Sequence, residues 1–138
     1  DNIESSILEV KKLNISDKDV IIALAASGNT PFTCNFIKEA RKKNALTIGI
    51  SNNKNGNLTR ISNLKIILDT GAEVIAGSTR LKAGTSQKIC LNIMSTMLMI
   101  KFKRVKSGYM SHLKATNEKL RDRKKRLSLI LKNKANEL

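Results

Sequence analysis

Val20-Ile21-Ile22-Ala23-Leu24-Ala25-Ala26 runs directly into Ser27-Gly28-Asn29-Thr30-Pro31. The first seven residues are continuously apolar and include β-branched side chains. So short a run reads as a strand, and its lack of alternation predicts burial on both faces, the parallel-sheet pattern. The next five residues turn the chain and open a helix. Thr30 suits the N-cap and Pro31 the first helical position. Phe32, Phe36, Ile37 and Ala40 then mark the apolar face of a helix running to about Lys43.

The same alternation extends outward. Ile3, Ile7, Leu8 and Leu13 recur at helical spacing over residues 2–13. Leu46-Thr47-Ile48-Gly49-Ile50 is a second strand. A polar loop with four Asn and a Gly covers Ser51 to Asn57. Leu58 to Asn63 is a short helix, and Leu64 to Leu68 a third strand. This βαβαβ order implies a parallel sheet with right-handed crossovers and helices on its faces. After Asp69 the chain becomes rich in Gly, Ser and Thr up to Thr85. A helix is predicted from about Gly84 to Lys101. Apolar residues nearly encircle it, the pattern of a helix buried against a sheet and a second subunit. From Ser107 on, the chain reads as a basic helix or helices.

The 138 residues suit one domain, and 41% apolar composition supports a core. Only 3% are aromatic and Trp is absent, which excludes modules that stack bases on aromatic platforms. The formal charge is +15. Most of it lies in residues 101–134, where 13 Lys and Arg face 2 acidic residues. A charge run without interleaved aromatics reads as a solvated face, so no specific nucleic-acid partner is expected. The longest apolar stretch, near Ile93 to Ile100, is too short to span a bilayer, so no membrane partner is expected. Cys34 and Cys90 form no CxxC, and one His completes no usual zinc set. With no disulfide framework and no basic n-region after Asp1, a cytoplasmic setting is expected. The missing initiator Met makes a piece of a longer protein an expectation from the first residue.

Two segments carry chemistry. Ser27 to Pro31 lies where a strand gives way to a helix, and ligands of parallel sheets bind outside strand carboxyl ends. A helix N-terminus attracts phosphate, Ser27 and Thr30 add hydroxyls, and Gly28 permits close backbone approach. It is neither a Walker loop nor a GxGxxG turn. A phosphate site and an ordinary strand-to-helix turn both fit the pattern. The second segment, Gly71 to Lys88, is a long polar Gly-rich stretch of the kind that is often functional. Its Glu73 either serves a site, caps a turn or pairs with Arg80. His112 and the two cysteines are read as surface or interface and as inert buried residues, respectively.

These segments resemble a known family. Ala25-Ala26-Ser27-Gly28-Asn29-Thr30-Pro31 looks like the second phosphate loop of sugar isomerase (SIS) domains. Gly71-Ala72-Glu73-Val74-Ile75-Ala76-Gly77-Ser78-Thr79-Arg80-Leu81-Lys82-Ala83-Gly84-Thr85-Ser86-Gln87-Lys88 is similar to the signature shared by N-acetylmuramic acid 6-phosphate etherases and the glucokinase regulatory protein. Lys114-Ala115-Thr116-Asn117-Glu118-Lys119-Leu120 extends the match towards the etherases. The sequence departs from the family pattern at Ala72 (usually Pro), Ser86 (usually Ala) and Asn29 (commonly basic).

The resemblance implies a SIS-type, flavodoxin-like three-layer α/β/α sandwich around a parallel sheet, here partial. It places that domain at 1–106 and a basic helical segment at 107–138. It implies a lyase that opens the D-lactyl ether of N-acetylmuramic acid 6-phosphate, giving N-acetylglucosamine 6-phosphate and D-lactate, without cofactor or metal. The family's two catalytic glutamates would precede Asp1. Glu4 lies near one of them, but its register is shifted and points to solvent. Ser27 and Thr30, with the N–H groups of Gly28 and Asn29, would hold the phosphate. Glu73 and Ser78, beside Thr79, would face the sugar or organise its pocket. Arg80 and Lys82 would meet the lactyl carboxylate or phosphate, or form salt bridges. A homodimer is expected. The alternative is a sugar-phosphate-binding regulator that lacks the carboxylate pair.

Overall fold

The computed structural model describes residues 2–135; Asp1 and the last three residues of the expected basic tail lie outside the described residues. In chain order the elements are α1 (Ile3–Lys12), β1 (Val20–Leu24), α2 (Pro31–Lys42), β2 (Leu46–Ser51) and α3 (Asn57–Ile61). They continue with β3 (Leu64–Ile67), α4 (Lys82–Lys101), β4 (Val105–Lys106), β5 (Tyr109–Met110) and α5 (Glu118–Ala135). The chain divides into two compact units, Asp1–Ile89 and Cys90–Leu138.

The first unit is an α/β fold on a three-stranded parallel sheet in the order β1-β2-β3. Ile21 pairs with Thr47 and Ala23 with Gly49, so these residues share one face. Helices cover that face. Ala23 and Ala25 pack with Cys34 and Ile37 of α2 and Leu58 of α3. Val10, Ile15, Ala40 and Ala45 form a second cluster, and Ile21 packs against both. Polar clips fix the helices: Asn35 Nδ2 of α2 donates to Ser6 Oγ of α1 at 2.7 Å.

The opposite face corrects one expectation. β1 is not buried on both sides: Val20 is 54% and Ile22 38% exposed, beside Leu46 at 42%. The described residues supply one helical layer to this sheet, so the alternate apolar residues meet no cover. The apolar pattern of a strand announces burial without naming the element that provides it.

The chain from Lys82 on corrects two more. α4 was expected to be buried, yet Ala83 is its one buried residue, and Ile93, Met97, Leu98, Met99 and Ile100 are exposed. Among the described residues no apolar surface covers this girdle. Ser107 does not open a helix. Val105 to Met110 is an antiparallel hairpin with Lys106 opposite Tyr109. Its turn is Ser107 at φ 50° and Gly108 at φ 78°. Two consecutive left-handed residues match the twist of paired strands, and Gly adopts that region without strain. The basic helix begins at Glu118, where Asn117 Oδ1 accepts the Leu120 N–H at 2.9 Å. No helix among the described residues is long and apolar enough to cross a membrane.

Candidate functional site

Parallel pairing brings the carboxyl ends of all three strands to one edge. Backbone bonds continue past the strands and hold the loops there. The Ala25 N–H donates to Ile50 O at 3.1 Å, Asn52 N–H to Ala26 O at 3.1 Å and Leu68 N–H to Ser51 O at 2.9 Å. The segments after β1, β2 and β3 therefore meet at one rim, where ligands of such sheets bind.

The turn after β1 is built on Gly28. Its N–H donates to Ala25 O at 2.9 Å, and its φ is 68°. A Cβ here would lie 2.7 Å from the Gly56 Cα, so two backbones touch and only Gly fits. Gly28 O accepts the Leu58 N–H at 2.8 Å and the Cys34 thiol at 3.6 Å. Burial pushes the Cys34 thiol up, with Lys38 pulling weakly the other way. Asn29 Oδ1 accepts the Asn57 N–H at 3.0 Å and so starts α3.

These bonds correct the roles of two amides. The Gly28 N–H closes the turn, and the Asn29 N–H points to Ser27 Oγ at 3.2 Å. Neither is left for a phosphate. Ser27 and Thr30 fare differently. Ser27 is exposed, and its Oγ accepts from within the loop, which leaves its proton to donate outward. Thr30 stands at the N-cap of α2, yet its hydroxyl makes no capping bond. It is half-buried. The Phe32 and Thr33 amides, in the first turn, have no intrahelical acceptor.

In the second segment Glu73 has a definite place. Its Oε1 accepts the Ala83 N–H at 2.9 Å and its Oε2 the Lys82 N–H at 3.0 Å. Glu73 caps α4 from nine and ten residues away. The Ala83 amide bond foremost holds its carboxyl below the usual glutamate range, with smaller help from the Lys82 amide and charge. Of the readings open for Glu73, the cap is realised and the Arg80 pair is not. Ser78 and Thr79 form the tight turn before α4: Ser78 N–H donates to Ile75 O and Thr79 N–H to Gly77 O, both at 3.0 Å. Among the described residues Arg80 makes no ion pair, and it and Lys82 are exposed. Thr70, Leu81, Lys82, Thr85, Ser86 and Ile89 line an open cleft of about 550 Å³. A larger cavity of about 700 Å³ belongs to the second unit, and it contains none of the strand-end residues.

Asn52 was missed by sequence reading. Its Nδ2 lies 3.0 Å from Leu68 O and 2.9 Å from Ser86 Oγ, and its Oδ1 accepts from Gln87 Nε2 at 2.9 Å. The signal was the Asn cluster just past β2, at a strand carboxyl end. Nearby, Lys54 pairs with Asp69 at 2.6 Å, and that bond lowers the Asp69 carboxyl. Both are exposed, so the pair adds little stability. Glu4 is exposed, as its register implied. His112 is exposed, with Nδ1 2.9 Å from Ser111 Oγ.

The model of the SIS domain family matches residues 4–87, the span that holds the sheet, the turn after β1 and the capped loop. This chain belongs to the SIS domain family. The N-acetylmuramic acid 6-phosphate etherase of Clostridium acetobutylicum is 48% identical over 118 residues, 86% of this chain and 39% of that protein. The etherase of Mycoplasma mycoides subsp. mycoides is 44% identical over 123 residues, 89% of this chain and 41% of that protein. The chain thus spans about two fifths of the length of these curated relatives. Among solved structures, the Vibrio vulnificus NanR protein complexed with ManNAc-6P matches with a TM-score of 0.62 at 11% identity, covering 95% of this chain and 43% of that one. That likeness concerns the fold alone.

Proposed function

We propose that this SIS chain is part of an N-acetylmuramic acid 6-phosphate etherase and supplies the phosphate-holding side of its site. The whole protein is then a lyase of amino-sugar catabolism that yields N-acetylglucosamine 6-phosphate and D-lactate. The observation that carries the reading is the pair of hydroxyls whose protons are left to donate, Ser27 and Thr30, at the open N-terminus of α2.

The chemistry is elimination of lactate followed by addition of water. It needs a base near C2 and an acid at the departing oxygen. Glu73 is a poor candidate for that acid, because its carboxylate is held ionised by two amides. The proton-transferring pair therefore comes from elsewhere in the whole protein. Ser27 and Thr30 donate to the phosphate, with the Phe32 and Thr33 amides behind them. Exposed Lys82 lines the cleft, exposed Arg80 lies two residues before it, and both meet the lactyl carboxylate. Ser78 and Thr79 shape the turn that presents them.

A homodimer in the cytoplasm completes the reading. The exposed girdle of α4 is the kind of surface a second subunit covers. The regulator alternative is disfavoured by the 44–48% identity to proteins named as etherases. The test is Ser27→Ala in the full-length protein. Phosphosugar affinity should fall by about tenfold, whereas unchanged affinity removes the assignment.

A further inference from the structure

We infer that Asn52 is the positioning residue that holds the two halves of the site in register. The inference rests on the phosphosugar reading above. Asn52 sits one residue past β2, the central strand. Its neighbours in the sheet lead to the two candidate segments, β1 to the Ser27–Thr30 turn and β3 to the Gly71–Lys88 loop.

Its bonds reach both. On one side the Asn52 N–H donates to Ala26 O at 3.1 Å, the carbonyl just before Ser27. On the other, Nδ2 donates to Leu68 O at 3.0 Å and to Ser86 Oγ at 2.9 Å, with Thr70 Oγ1 at 3.3 Å as a shared, longer contact. Oδ1 accepts from Gln87 Nε2 at 2.9 Å. The amide has two hydrogens, so its donors are fully used.

Its orientation is fixed as well. Ser86 Oγ donates to Ala83 O at 2.7 Å, which makes that hydroxyl an acceptor towards Asn52. A flipped amide would set Oδ1 against the Leu68 carbonyl and an NH2 against the Gln87 NH2. One residue therefore ties the turn after β1, through its backbone N–H, to the end of β3 and the first turns of α4, through its side chain; α4 is the helix that Glu73 caps from the other end of its loop. Asn52 carries no charge, both its amide hydrogens are used and its Oδ1 is engaged by Gln87, so it acts through the residues it holds. Asp at this position keeps the size but loses both donors.

Positioning predicts a selective loss. Inorganic phosphate needs only the turn after β1, whereas a sugar phosphate bridges the turn and the loop. In the full-length protein, Asn52→Ala should weaken N-acetylglucosamine 6-phosphate binding by about tenfold or more and leave the inorganic phosphate Kd within about twofold. Gln87→Ala, a milder variant that keeps the rest of the network, should act in the same direction, and adding it to Asn52→Ala should cost nothing further. Equal losses for both ligands, or fully additive losses, overturn the inference. Amide hydrogen exchange without ligand supplies a separate readout. Asn52→Ala should speed exchange over residues 80–88 and leave α1 unchanged. If the unmutated protein binds no sugar phosphate, the site reading fails. The exchange result then decides the inference: unchanged exchange at 80–88 contradicts it.

Discussion

Glu73 and Ala83 are joined across a ten-residue loop by a 2.9 Å bond from the Ala83 amide to Glu73 Oε1. A helix capped from so far away begins where its loop permits. Glu73→Gln keeps one carbonyl acceptor and loses the second and the charge. It should fray the first turn of α4, seen as faster hydrogen exchange at Lys82 and Ala83. Exchange equal to the unmutated protein would remove the cap.

The same carboxylate predicts a pH dependence. Its folded value lies below the ordinary glutamate value of about 4.3, so the carboxylate favours the folded state. That contribution is complete above the unfolded value and fades as pH falls through the lower folded one. Order at the Ala83 amide should be lost in this acid window, and the Glu73→Gln protein should show no such step. Asp69 is also lowered, by Lys54, which makes the comparison with Glu73→Gln the deciding one.

Gly28 and Gly71 share a left-handed backbone, at φ 68° and 64°, but not the same surroundings. A Cβ on Gly28 meets Gly56 Cα and Ser51 Oγ, each at 2.7 Å, and one on Gly71 meets nothing within 4 Å. Gly71→Ala should cost about 1 kcal/mol, the price of the conformation alone. Gly28→Ala should cost at least about 2 kcal/mol more. Urea denaturation of the two variants measures the difference, and equal midpoints would contradict the close approach.

Thr30 separates capping from binding. An N-cap threonine normally contributes about 1 kcal/mol through its side chain. Thr30 makes no such bond, so Thr30→Val should change stability by less than about 0.5 kcal/mol while weakening phosphosugar binding by about tenfold. A large stability loss with intact binding would reverse the assignment.

Cys34 and Cys90 should differ in reactivity. Cys34 is buried and its thiol is pushed up, which lowers its thiolate fraction; Cys90 is half-buried on α4. Iodoacetamide at mild alkaline pH should label Cys90 first, by about tenfold in rate. Equal rates before unfolding would contradict the packing around Cys34.

Much of the first unit was legible because local signals agreed. The apolar run at Val20, the Thr30-Pro31 helix start and the strand at Leu46 each had a pattern with a physical cause. What failed needed information beyond the local chain. The outward residues of β1 and the girdle of α4 announce burial without saying what covers them. Asn52 finds side-chain partners that lie 34 and 35 residues away, at Ser86 and Gln87. The hairpin at Val105 was within reach: Ser107-Gly108 between short strand-like pairs is a turn signal, and the basic run around it masked it. At the site, Ser27 and Thr30 were read from their hydroxyls. The commitments of the Gly28 and Asn29 amides emerged only with the turn itself.

As part of an etherase, this SIS chain serves an enzyme that opens a lactyl ether. The direct measurement is D-lactate release when the full-length protein is given N-acetylmuramic acid 6-phosphate at saturating concentration. Release should be matched one to one by N-acetylglucosamine 6-phosphate and fall sharply in Ser27→Ala. Tight binding of the substrate with no D-lactate released would contradict the etherase reading.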